Sequence, residues 1–121
     1  MDPNYSEGKR NLGVALRDQG KIYGEKNHNL SGAIALLQEA VQYLPNDYET
    51  YQLLGVAHGQ AGDTQKAIEY FRKEIELAPK NATAHYNLGI ALSQAGDTAG
   101  ANASFETAKA LDPNLPQFKN R

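Results

Sequence analysis

The sequence repeats itself at one offset. Residues 51–81 recur as residues 85–115, 34 positions further on. At that offset Leu54 meets Leu88, Gly55 meets Gly89, Ala67 meets Ala101, Phe71 meets Phe105 and Pro79 meets Pro113. The string Gln60-Ala61-Gly62-Asp63-Thr64 returns unchanged as Gln94-Ala95-Gly96-Asp97-Thr98. A fixed period of this length means that one supersecondary unit is stacked on copies of itself, because a unit so small cannot bury its apolar face alone.

An altered copy precedes these two. Asn11-Leu12-Gly13-Val14-Ala15-Leu16 resembles Asn87-Leu88-Gly89-Ile90-Ala91-Leu92, and Ala33, Leu37, Ala40 and Pro45 keep the spacing of Ala101, Phe105, Ala108 and Pro113. With Gly13 set against Gly55, twenty residues separate Gly13 from Ala33 where twelve separate Gly55 from Ala67. The reading therefore places eight extra residues within Gly20–Asn29, as a loop or a helical protrusion.

The repeated residues describe two helices and a turn. A glycine after Leu12, Leu54 and Leu88 allows a second helix to approach closely, since it has no Cβ. Ala33, Ala67 and Ala101 supply small volume on that second helix. The Gly-Asp pairs at 62–63 and 96–97 combine a C-terminal glycine with an N-cap. Pro45, Pro79 and Pro113 end each second helix, because proline cannot continue the hydrogen-bond ladder.

A 34-residue period with Leu-Gly, Ala, Phe and Pro at these places resembles the tetratricopeptide repeat family. The resemblance implies an all-α fold of three helical hairpins stacked as a right-handed superhelical solenoid. One domain then spans residues 1–121, with repeats at about 6–47, 48–81 and 82–115 and a short tail at 116–121. Three departures stand out. The usual aromatic early in the first helix is Tyr51 in the middle repeat but Lys9 and His85 elsewhere. The small residue late in the second helix is Ala40 and Ala108, but Glu74 in the middle repeat. The first repeat carries the extra residues.

In this family the first helices line a concave groove that binds peptides. Helical periodicity puts Arg10, Asn11, Val14 and Arg17 on that face in the first repeat. The second contributes Gln52, Leu53, Val56 and Gln60, and the third Tyr86, Asn87, Ile90 and Gln94. The expected surface is an apolar ladder of Val14, Val56 and Ile90 flanked by amides, with two arginines at one end to hold a carboxylate. Amides donate to and accept from a peptide backbone. One subfamily grips the acidic tails of chaperones with Lys, Asn and Arg. Those places fall here on Arg10, Val14, Leu53, Thr83 and Asn87, so the clamp is mostly absent.

Composition supports binding over catalysis. The net charge of −2 lacks the basic excess of a nucleic-acid binder. No cysteine is present, hence no disulfide or thiolate metal site. No phosphate loop, nucleophile elbow or zinc-protease helix appears. The expectation is no enzyme, no cofactor, no metal, no nucleic acid and no membrane insertion, with a cytoplasmic setting. His58 and His85 on adjacent helices lack further ligands for a metal. Glu74 at a packing position is expected to be buried and paired with a neighbour such as His85. Tyr48, Tyr51 and Tyr70 fit packing places, and Tyr86 the groove. Met1-Asp2-Pro3-Asn4 echoes Asp112-Pro113-Asn114, so both ends look cut from a longer pattern. An apolar flank is expected on Ala99–Leu111, giving the alternative of a homodimer that docks through its last repeat, within Ala99–Phe118.

Overall fold

The computed structural model describes residues 3–26 and 28–119. Met1, Asp2, Asn27, Asn120 and Arg121 lie outside the described residues, and with them parts of the terminal match, the inserted stretch and the tail. Seven helices and no strand occur among the described residues. They are α1 (Pro3–Glu25), α2 (Leu30–Tyr43), α3 (Tyr48–Gln60), α4 (Thr64–Leu77), α5 (Ala82–Gln94), α6 (Thr98–Leu111) and α7 (Pro116–Lys119).

Helices α1 and α2, α3 and α4, and α5 and α6 form three hairpins. Successive hairpins meet through α2 with α3 and α4 with α5. The turns follow from the sequence. Asn29, Asp47, Asp63, Asn81 and Asp97 each cap a helix by accepting a hydrogen bond from a free N–H of its first turn. Gly62 and Gly96 adopt φ of 91° and 89°, the left-handed backbone that closes α3 and α5. In the turn before α2 the left-handed place falls to His28, with φ of 51°. The core between the second and third hairpins comprises Ala67, Ile68, Phe71, Leu88, Ala91, Leu92 and Ala101, with Ile75 and Phe105 packed against it.

Of the eight extra residues of the first repeat, seven precede the glycine contact on α1 and one lies between the hairpin's halves. Helix α1 has 23 residues, whereas α3 and α5 have 13 each. A Cβ added to Gly55 would meet Phe71 at 2.5 Å, and one added to Gly89 would meet Phe105 at 2.6 Å. Leu37 is the counterpart of those rings, and the glycine whose Cβ would meet it, at 2.8 Å, is Gly20. Gly13 instead abuts Leu44 and Tyr43 at the end of α2. Gly20 is thus the true counterpart of Gly55, and Leu12 is 45% exposed where Leu54 is 0%. Residues 21–25 are the last turns of α1, and the α1–α2 turn is one residue longer than the others. The tight glycine approach holds in all three hairpins, in a register seven residues further along α1.

The C-terminal face also differs from expectation. Ile68 and Ile75 of α4 pack towards the third hairpin, but their counterparts on α6 are Asn102 and Lys109, both exposed. Phe118 of α7 meets Tyr86 edge-on at 5.7 Å between ring centroids. The flank expected to be apolar therefore carries Asn102 and Lys109 beside the exposed Ala99, Ala103, Ala110 and Leu111.

Candidate peptide groove

Helices α1, α3 and α5 lie side by side, and the stacking of α3 and α5 leaves a recess of about 330 Å³ between them. Its floor includes Gly59, Ala67, Phe71 and Ala91, and its rim Val56, Gln60, Asn87, Ile90 and Gln94. Val56 is 37% and Ile90 38% exposed, so two aliphatic side chains face solvent one repeat apart. A recess of the same construction, about 60 Å³, lies between α1 and α3. There Gly20, Lys21, Gly24, Glu25 and Ala33 take the places of Gly55, Val56, Gly59, Gln60 and Ala67. The correspondence independently supports Gly20 as the counterpart of Gly55.

The twelve sequence-predicted residues divide accordingly. Val56, Gln60, Asn87, Ile90 and Gln94 come together around the larger recess. Leu53 joins Val56 and Gln60 at the smaller one. Arg10, Val14 and Arg17 line a separate depression beside Tyr43–Asp47, at the α2–α3 turn. Asn11 is exposed on α1 and Gln52 half-buried on α3; neither lines either of these two recesses. Tyr86 packs its ring against Phe105 at 5.3 Å and against Phe118. The ladder on the open face is therefore Lys21, Val56 and Ile90, with Lys21 replacing Val14. Sequence reasoning missed Lys21, Gly24, Glu25 and Gly59. Aligning Gly20, rather than Gly13, with Gly55 brings out the first three.

Arg17 is already engaged. Its guanidinium donates to Asp47 at 3.2 Å and Asp18 at 3.3 Å, and Glu49 lies 3.6 Å away. Asp47 also accepts from the backbone N–H and hydroxyl of Thr50, so the arginine buttresses the start of α3. Three carboxylates thus already surround its charge. With the corrected register, the chaperone-tail places on α1 move from Arg10 and Val14 to Arg17 and Lys21.

Three polar side chains are buried among the described residues: Thr50, His58 and Glu74. Glu74 is 0% exposed, as its packing position implied. Its partner is Asn81 rather than His85: the Asn81 amide donates to Oε2 at 3.5 Å, while Oε1 has no partner. Burial pushes its carboxyl up to about 7. The His85 ring pairs through Nε2 with the carbonyl of Pro79. His58 stacks on Tyr70 at 5.3 Å, and burial lowers its pKa. Tyr51 donates to the carbonyl of Pro45 and stacks near Tyr70, as a packing tyrosine should, but Tyr48 is exposed at the start of α3.

The tetratricopeptide repeat model matches residues 25–82 and 53–116, well over half of the chain. The chain belongs to the tetratricopeptide repeat family. Among solved structures it is similar to an Arabidopsis OM64 TPR domain, with a TM-score of 0.87 and 20% identity, covering 93% of this chain and 92% of that one. It is similar to the first TPR of Spaghetti (RPAP3) bound to HSP90 peptide SRMEEVD, with a TM-score of 0.85 and 17% identity, covering 91% and 86%. It is also similar to MamA, with a TM-score of 0.84 and 24% identity, covering 95% and 67%. No curated protein sequence matches it. At these identities the structures establish the tetratricopeptide solenoid fold, and the family is one of protein-interaction scaffolds. No described helix is long and apolar enough to cross a membrane.

Proposed function

We propose that this chain is a protein-interaction module of scaffold or adaptor type that takes a peptide or partner helix across α1, α3 and α5. The observation that carries the reading is the exposed pair Val56 and Ile90, set one repeat apart over a recess rimmed by Gln60, Asn87 and Gln94. Aliphatic side chains left in water by the fold are available to a ligand's apolar groups, and the amides match its backbone. The RPAP3 domain, which resembles this chain, is bound to an acidic peptide. Of the places that would grip an acidic tail only Arg17 and Lys21 are basic here: Arg17 already faces Asp47 and Asp18, and Thr83 and Asn87 carry no charge. The reading assigns the chain no catalysis.

Self-docking through α6 has less support, because Asn102 and Lys109 stand where α4 offers isoleucines. Selection of binders from a random peptide library, against the native chain and a Val56→Glu/Ile90→Glu variant, tests the reading. Binders that lose affinity for the variant are expected. Binders that ignore both changes would place recognition elsewhere. Light scattering across concentration is expected to give the monomer mass of 13.2 kDa.

A further inference from the structure

Glycine weakens a helix relative to alanine, most in its interior and less in the last turn, where Gly24 of α1 and Gly59 of α3 lie. Four glycines of α1, α3 and α5 are demanded by packing. A Cβ on Gly13, Gly20, Gly55 or Gly89 would come within 2.5–2.8 Å of a neighbouring side chain. Gly8 faces open space near the start of α1. Gly24 and Gly59 fit neither description. A Cβ on Gly24 would stand 3.6 Å from the Cβ of Ala33, and one on Gly59 3.7 Å from that of Ala67. Those are ordinary contacts, so the hairpins would accept alanine at both places. The two glycines are counterparts in successive repeats, and each lies in a recess of the open face beside the alanine named.

We propose that the recess over Gly59 is a socket for one aliphatic side chain of a neutral partner segment, with the narrower recess over Gly24 taking a second, smaller one. This rests on the groove reading above and specifies its ligand. The absent methyl groups leave room for side chains of the partner. The rim of the larger socket, Val56, Gln60, Asn87, Ile90 and Gln94, carries no charge, so a charged partner group would lose its water without gaining an opposite charge. At the smaller socket Lys21 and Glu25, four residues apart on α1, carry opposite charges. The recess beside Ala67, about 330 Å³ against about 60 Å³ beside Ala33, makes Gly59 the main anchor, and a further depression of about 460 Å³ reaches Gly24 from the side of His28 and Leu30.

The substitution Gly59→Ala separates this from a structural role, because it puts a methyl group into the socket floor while favouring the helix. The probes are short capped peptides of Ser, Asn and Gln carrying two leucines at graded separations. A peptide of equal length, rich in Glu and ending in a free carboxylate, is the counter-probe. Fluorescence anisotropy reads binding, and thermal unfolding reads stability. The leucine peptides are expected to bind and the acidic one not. Gly59→Ala is expected to weaken binding about tenfold, the effect of excluding one aliphatic group, while raising the unfolding temperature. Gly24→Ala is expected to do the same to a smaller degree. If Val56→Glu abolishes binding but Gly59→Ala leaves it unchanged, the socket is refuted and the groove stands. Binding of the acidic peptide alone, lost in Val56→Glu, refutes the neutral ligand and again leaves the groove. A Gly59→Ala protein less stable than the native chain refutes the premise that the site accepts a methyl group. If no probe binds, the proposal fails, and the library selection described above then decides whether the groove reading fails with it.

Discussion

Replacing Glu74 by glutamine should make the protein more stable at alkaline pH and leave it unchanged in acid. Glu74 has no access to water, one long hydrogen bond from Asn81 and an oxygen with no partner. Its carboxyl is held up to about 7 by burial, from an ordinary 4.5. Below pH 4.5 both folded and unfolded chains carry the proton, and the side chain costs the fold nothing extra. Between 4.5 and about 7 the unfolded chain releases the proton while the folded chain retains it, so stability falls as pH rises. At 1.36 kcal/mol per unit, the loss is about 3 kcal/mol, and it is complete above neutrality. Glutamine has the same shape and does not titrate. Urea denaturation, followed by circular dichroism at several pH values, measures the difference between the two proteins. The expected difference is near zero in acid and grows to about 3 kcal/mol in favour of Glu74→Gln in mild alkali. Taking the difference matters because His58 acts in the opposite sense. Its lowered pKa contributes stability that is lost as pH falls. Parallel stability curves for the two proteins would refute the argument, since they would mean that Glu74 is hydrated or paired in the fold.

Other substitutions test other parts of the account. Gly55→Ala drives a methyl group into the Phe71 ring and should destabilise by about 1–3 kcal/mol in thermal unfolding. His28→Gly relieves a left-handed backbone at a side-chain-bearing residue and should stabilise by about 1 kcal/mol in the same assay. His58→Leu introduces the residue that the third repeat has at this place, Leu92, and should flatten the loss of stability in acid. Arg17→Ala removes the partner of Asp47 and should cost about 1 kcal/mol, an effect that salt reduces, as urea titrations with and without added salt would show.

The hairpins were legible because each boundary is set by local chemistry. Asp63 and Asp97 cap, Gly62 and Gly96 turn left-handed, and Pro79 and Pro113 follow helix ends. The register of α1 was not legible, for a geometric reason. Gly13 and Gly20 are seven residues apart, about two helical turns, so both lie on the same face of the helix. Periodicity cannot choose between them, and the better sequence match, Leu12-Gly13, is the wrong one. Only the tertiary contact of Gly20 with Leu37 decides. That shift carries Val14 away from the open face and puts Lys21 there. The burial of Glu74 was legible from its packing position. Its partner was not, because Asn81 caps α5 with its oxygen and thereby turns its amide towards Glu74. Periodicity puts Tyr86 on the groove face, but its contact with the ring of Phe118, brought back by α7, is one that no repeat pattern encodes.

The central claim is that ligands meet this protein on the open face of α1, α3 and α5. Nuclear magnetic resonance titration of the isotope-labelled chain with a two-leucine peptide tests it most directly. The account predicts that amide and methyl signals of Val56, Gly59, Gln60, Ile90 and Gln94 shift together, with smaller changes at Lys21 and Gly24. Shifts confined to α6 and α7, around Phe105, Lys109 and Phe118, would contradict it.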